Sequence, residues 1–297
     1  MSVVRIAIAT CDVVPEQFDE DELIVDALAR RGVEAGFVSW DVEGTDWGEF
    51  ELVVIRSTWD YWERPVEFVR WAEGVGDRLR NRPEVIAWNV DKAYMGELAE
   101  AGLAVVPTAF VRQGDPVPEL EGEAVVKPTV SAGGRDTGRF TPGVHREARE
   151  LVVRITGQGR VAMVQPYLAD VDSKGETALV HVAGEFTHAL RKRAVLRPDE
   201  VAPLRDDALG AAEAMYDPEL VQASEASAAE RAVAADVLAF VTERFGEPPL
   251  YARVDLVPGP EGEPVLIELE VVEPCLYLHE SPATAERLAE AIVAEIG

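Results

Sequence analysis

Along the first ninety residues, short apolar runs alternate with stretches of helical spacing. VVRIAIAT (3–10) is an apolar run of strand length, and DEDELIVDALARR (19–31) carries apolar residues at helical intervals and stops at Gly32. EAGFVSW and ELVVIRST read as further strands, PVEFVRWAEGVGDRL as a helix opened by proline, and VIAWN (85–89) as the strand closing the segment. This alternation predicts a parallel sheet with helices on both faces, which receives ligands at the carboxyl ends of its strands. Those ends are Thr10-Cys11-Asp12 and Arg56-Ser57-Thr58-Trp59-Asp60-Tyr61-Trp62. The second run suits either a helix cap followed by aromatic core or a pocket where polar groups orient a ligand against aromatic walls. Its place at a strand end favours the pocket, with Thr10, Asp12, Arg56, Ser57, Thr58 and Tyr61 as candidate substrate contacts. Arg56 would clamp a substrate carboxylate, or else pair with Asp60 and support the turn.

NVDKAYMGELAEAG (89–102) reads as a capped helix with Lys92 at its start, followed by the strand-like VPTAFV. In AVVKPTVSAGGRDTGRF (124–140) a strand carrying Lys127 runs into the small residues Ser131-Ala132-Gly133-Gly134. Such a loop lets backbone N–H groups approach a phosphate, although plain flexible hairpins use the same residues. Neither a Walker motif nor GxGxxG is present. A helix, HREARELVVRITG, and a strand, VAMVQPYL (161–168), come next. GETALVHVAGEFTHALRKRAV (175–195) reads as a hairpin turning at Gly184, with Glu176 at its start and His188 and Lys192 on its second arm. His188 reads as a packed strand residue rather than a ligand. Residues 196–223 lack periodicity and suggest a long loop. A Ser-capped helix (224–246) and a last helix, TAERLAEAIVAEI, flank the final hairpin.

That hairpin, YARVDLVPGPEGEPVLIELEVVEP (251–274), has the pattern with the most chemistry. Period two puts Arg253 and Asp255 on one face of its first strand, and Glu268 and Glu270 on one face of its second. A solvated sheet face would account for this. Yet acids are poor strand formers and like charges on neighbouring positions repel, whereas a hard divalent cation would remove that cost.

Composition narrows the field. The 297 residues include 28 basic and 55 acidic side chains, a formal charge of −27, which disfavours nucleic-acid partners. Two cysteines without metal or redox spacing argue against a stapled extracellular scaffold. The N-terminus turns polar by position 12, unlike a signal peptide, and no run is long enough to span a membrane. A cytoplasmic location is expected.

The motifs in order resemble the ATP-grasp superfamily from about residue 90 to 297. They are Lys92, Lys127 before a small-residue loop, Gln165-Pro-Tyr-Leu168, Glu176, Arg253-Val-Asp255 and Glu268-Leu-Glu270. D-alanine–D-alanine ligase and glutathione synthetase carry Arg-x-Asp and then Glu-x-Asn; here Glu replaces the Asn and keeps an oxygen ligand. The resemblance implies an α/β fold with an N-terminal Rossmann-like domain (1–90), a small mobile lid (91–168) and a C-terminal α+β core (169–297). It implies ATP phosphates on Lys92, Lys127 and the loop with Ser131, Gly133 and Gly134. Adenine would lie at Gln165, Tyr167 and Leu168, with Gln where an acid is usual, and ribose at Glu176. Asp255, Glu268 and Glu270 would hold two Mg2+ ions, with Arg253, Lys127 and Lys192 as catalytic cations. The stretches Arg56–Trp62, Val126–Gly134 and Ile267–Pro274 narrow the likeness to a bacterial subgroup that includes O-ureido-D-serine cyclo-ligase, the enzyme closing the cycloserine ring.

The expected activity is therefore an ADP-forming ligase that activates a small amino-acid-like carboxylate as an acyl phosphate for attack by an amine, within one molecule or between two. A non-catalytic ATP-binding module and a small-molecule kinase are the alternatives. Relatives of this kind suggest a homodimer.

Overall fold

On β1 (Arg5–Thr10), Ile6 and Ile8 point to one face of the sheet, and Ala7 and Ala9 to the other. The computed structural model describes residues 4–12, 19–206, 210–217 and 219–296, so Val3 of the expected first strand lies outside the described residues. α1 (Glu22–Arg30) covers the isoleucine face with Ile24 and Leu28. β2 (Glu34–Ser39) and β3 (Leu52–Ser57) follow, and α2 (Pro65–Val75) covers the alanine face with Phe68 and Ala72. With β4 (Leu79–Arg80) these strands form a parallel sheet of order β2–β1–β3–β4, helices on both faces, as the alternation predicts.

One element differs. VIAWN (85–89), expected as a strand, belongs to α3 (Pro83–Asn89), and two-residue β4 closes the sheet instead. Pro83 suits a first helical turn. A run as short as the four apolar residues 85–88 does not separate helix from strand by periodicity. The helix also aims Asn89 at a later strand, where it donates to the Leu269 carbonyl at 2.9 Å and accepts from the Val271 N–H at 3.1 Å.

After α4 (Tyr94–Glu100), a second sheet takes β5 (Ala109–Val111), β6 (Ala124–Pro128), β7 (Gly138–Phe140) and, beyond α5 (His145–Gly157), β8 (Ala162–Pro166). Leu151, Val152 and Ile155 of α5 pack on Val126, Phe140 and Val164 in a core of their own. The short α6 (Val171–Lys174) leads to the third sheet, which starts with β9 (Glu176–Val182) and β10 (Glu185–Lys192). Ala183 and Gly184, at φ of 50° and 80°, make the tight turn expected at Gly184.

Residues 196–223, expected as a loop, contribute β11 (Glu200–Val201) to the second sheet and β12 (Val221–Ser224) to the third, although 207–209 and 218 lie outside the described residues. Both are short edge strands recruited by partners distant in sequence, so local spacing gives no sign of them. α7 (Ala228–Phe245) starts later than 224; Ser227, not Ser224, is its cap, paired with Glu230 in a capping box. β13 (Tyr251–Pro258) and β14 (Pro264–Glu270) are the expected hairpin, and α8 (Pro282–Ala294) packs on α1. The second and third sheets are antiparallel, ordered β11–β7–β6–β8–β5 and β12–β10–β9–β13–β14. No helix among the described residues is long and apolar enough to cross a membrane.

Candidate active site

Ala252, Val254 and Leu256 of β13 pack in the core formed with α7, so period two turns Arg253 and Asp255 to the opposite face. There Arg253 lies across from Glu270 and Asp255 across from Glu268. This face is no solvated surface: Arg253 and Asp255 are 5% and 1% exposed. It floors a cavity of about 310 Å3 walled by the second sheet and by Trp59 and Tyr61 beyond the end of β3.

Charges there are paired in a chain. Arg253 donates to Asp255 through Nε at 2.9 Å and Nη2 at 2.9 Å, to the Cys275 carbonyl at 3.0 Å, and to Glu270. Lys192 donates to Asp255 at 2.7 Å and pairs with Glu176. Lys92 meets Glu268 at 3.2 Å and the Ser131 carbonyl at 2.9 Å, while Lys127 lies 4.0 Å from Glu268. Burial alone would raise the Asp255 carboxyl, but Arg253 and Lys192 hold it well below the usual carboxylate range. Lys92 and Lys127 similarly outweigh burial at Glu268. At Glu270 burial wins over Arg253, helped by Glu268 and Asp255, and pushes the carboxyl up to about 7. Burial, and then the neighbouring Lys92, ease a proton off Lys127.

The small-residue loop sits over this floor. Gly133 and Gly134 have φ of 63° and 72°, and a Cβ on Gly133 would meet Cβ of Ala211 at 2.6 Å, so glycine is required there. The Gly133 carbonyl accepts from the Ala212 N–H at 2.7 Å, so the 211–216 segment helps enclose the cavity. Ser131, Gln165, Tyr167, Leu168 and Glu176 line it as well. Gln165 is tied to Thr108 at 2.8 Å, and the Tyr167 hydroxyl donates to Asp172 at 2.6 Å under the Arg139 guanidinium.

Of the six candidate substrate contacts, the structure brings only Tyr61 to the cavity. Thr10 and Ser57 hydrogen-bond each other at 2.8 Å, Thr58 is fully buried, and Asp12 is exposed outside the cleft. Arg56 is corrected on both readings: it neither reaches the cavity nor pairs with Asp60. It is 2% exposed and donates to Asp21 at 2.7 Å, Glu20 at 3.1 Å and the Pro274 carbonyl at 3.0 Å. Asp60 instead accepts from the Trp40 indole at 2.8 Å. Sequence reasoning gave Trp59 only as part of an aromatic wall and passed over Glu273 and Tyr277, which also line the cavity; the only signal for Glu273 was its place inside a motif stretch.

Asp255, Glu268 and Glu270 supply only oxygen donors, the chemistry a hard cation requires. They are spent on ion pairs, and among the described residues no three His, Cys, Asp or Glu side chains are gathered to hold an ion. Cation binding there therefore requires these pairs to exchange. The raised Glu270 carboxyl, together with Glu273 at about 8, marks two carboxyls that keep a proton because the protein's own cations do not fully support their charge, and a divalent cation would supply that support. In that respect the donor set fits a divalent metal.

A family model described as the N-terminal domain of D-cycloserine synthetase DcsG matches residues 6–81. The cycloserine biosynthesis protein DcsG of Streptomyces lavendulae is 34% identical over 295 residues, 94% of each chain. The crystal structure of D-cycloserine synthetase DcsG superposes with a TM-score of 0.88 at 32% identity, over 99% of this chain and 100% of that one. D-alanine–D-alanine ligase from Bacillus anthracis, complexed with ATP, superposes with a TM-score of 0.68 at 13% identity over 99% and 97%, a likeness of fold.

Proposed function

Because the chain belongs to the DcsG family of ATP-grasp ligases, we propose that its cavity binds ATP and an amino-acid-like carboxylate and closes that substrate into a ring, as a cyclo-ligase acting on O-ureido-D-serine would. One observation carries this reading: two lysines, a lysine–carboxylate pair and the Arg253–Asp255–Glu270 set converge on one cavity under a glycine loop. Phosphoryl transfer to a carboxylate brings two anions together, so the site must supply positive charge where the transferred group passes. With the family shown, ligation takes precedence over the binding-module and kinase alternatives.

In this reading Lys92, Lys127 and the N–H groups of Ser131–Gly134 hold the phosphates. Gln165, Tyr167 and Leu168 line the adenine, and Glu176 turns from Lys192 to the ribose. A substrate carboxylate oxygen attacks the γ-phosphorus and ADP leaves; Arg253 and Lys192 steady the transferred group. The substrate's own nitrogen then attacks the acyl carbon, loses its proton and expels phosphate; with O-ureido-D-serine that nitrogen still bears its carbamoyl group, which water must remove as carbon dioxide and ammonia to leave the cycloserine ring. Asp255, Glu268 and Glu270 would hold Mg2+, two ions in our reading, whose contribution is to neutralise phosphate charge. The loop excludes water from the acyl phosphate. We divide the chain accordingly at residues 90 and 168, with the middle part as the moving lid.

Incubation with ATP, Mg2+ and O-ureido-D-serine should release ADP and a cyclic product in equal amounts. ADP released with a stable phosphorylated substrate would favour a kinase instead.

A further inference from the structure

We propose that Glu273 is the anion that receives the substrate's non-reacting ammonium group. The inference rests on the amino-acid-like substrate of the preceding section and adds the residue that selects it. Each of the other four carboxylates of the cavity has a cationic partner: Glu176 has Lys192, Asp255 has Arg253 and Lys192, Glu268 has Lys92, and Glu270 has Arg253. Glu273 lines the same cavity, yet among the described residues no cation stands within ion-pair distance of its carboxylate, and Lys92, already paired with Glu268, attracts it only from farther away.

Its position is fixed from outside. The Trp59 indole donates to the Glu273 carbonyl at 3.1 Å, and Arg56 donates to the next carbonyl, that of Pro274, at 3.0 Å. Glu273 is therefore held where the end of β3 meets the charged hairpin, with Tyr61 beside it. After burial, Glu273 is the largest influence holding the proton on the Tyr61 hydroxyl. Burial, and then Glu270, push the Glu273 carboxyl itself up to about 8 against the pull of Lys92, as expected of a carboxyl with no ion-pair partner of its own.

A cyclising amino acid brings three groups. Its carboxylate is phosphorylated and its distal nitrogen becomes part of the ring, but its α-ammonium reacts with neither and survives in the product. Lodged near Lys92, Lys127, Lys192 and Arg253, that ammonium would be repelled unless an anion faced it. Glu273 is the carboxylate in the cavity that is free to do so, and the Trp59 and Tyr61 rings beside it suit a cation.

The test compares O-ureido-D-serine with the same molecule bearing hydrogen in place of the α-amine. Wild-type enzyme should prefer the amine-bearing compound in kcat/KM. In Glu273→Gln, KM for that compound should rise roughly 10- to 100-fold, the factor for one charged hydrogen bond. The KM for ATP should stay put, and the preference between the two compounds should collapse. A merely structural role would slow both compounds alike and keep the preference, which would overturn the assignment. A preserved preference with a shifted Mg2+ requirement would overturn it too, in favour of a metal ligand. Should the glutamine variant not fold, the wild type still decides: the des-amino compound must inhibit by the same factor more weakly, and equal inhibition refutes the proposal. If wild type turns over neither compound and binds neither, the substrate class itself is wrong and this inference falls with it.

Discussion

Asparagine in place of Asp255 should reduce kcat for ADP release by roughly 100- to 1,000-fold, the usual loss when one preorganised charge leaves a transition-state site. Asp255 is 1% exposed and bonded to Arg253 and Lys192 together. Burial penalises its charge, and the two cations more than repay that penalty, so it stays ionised. Asparagine keeps the shape and one acceptor but removes the charge that holds both cations over the cavity floor and that, in the proposed function, would face a metal. The loss should fall on kcat, and circular dichroism should report a folded chain. Wild-type turnover in the folded variant would remove Asp255 from the catalytic set.

The second large effect is on stability. Arg56→Ala should destabilise the fold by about 3–5 kcal/mol, because removing one member of a buried ion set strands the others. Glu20 and Asp21 would be left buried with no cation, and burial already pushes the Glu20 carboxyl up despite Arg56. Glu20 also accepts from the N–H groups of Leu276 at 2.7 Å and Leu278 at 3.1 Å. The set thereby ties the start of α1 to the chain leaving the hairpin. The melting temperature should fall by roughly 5–15 °C, given the sensitivity of domains this size. Lysine at this position keeps a charge but not the three-way donation, so Arg56→Lys should lie between. A melting temperature unchanged in Arg56→Ala would contradict the structural role.

The two residues show what was readable from the chain and what was not. Asp255 was legible because period two is a local rule: two residues apart on a strand means one face, and the hairpin turn supplied the cross-strand partners. Lys92, Lys127 and the glycine loop were picked out by the family resemblance, and the structure brings all three to the cavity. Arg56 carried an equally suggestive local pattern at a strand end. Its partners, however, lie 35 and 36 residues upstream and at Pro274, and only the packed fold reveals that they hold it away from the cavity. VIAWN failed because four apolar residues and an Asn suit either regular element. Glu273 went unassigned because it lies past Glu270, where β14 ends and strand periodicity stops predicting which way a side chain points. β11 and β12 were missed because their order comes from neighbouring strands and not from their own residues.

The central claim is that the cavity activates a carboxylate by phosphorylation before a nitrogen of the same molecule displaces the phosphate. Substrate labelled with 18O in its carboxylate tests it most directly, by mass analysis of the phosphate released. Carboxylate oxygen that attacks the γ-phosphorus must depart with the phosphate, so every phosphate formed with ring product should carry one substrate-derived oxygen. Unlabelled phosphate accompanying ring formation would contradict the account, because the carboxylate would never have been joined to phosphorus.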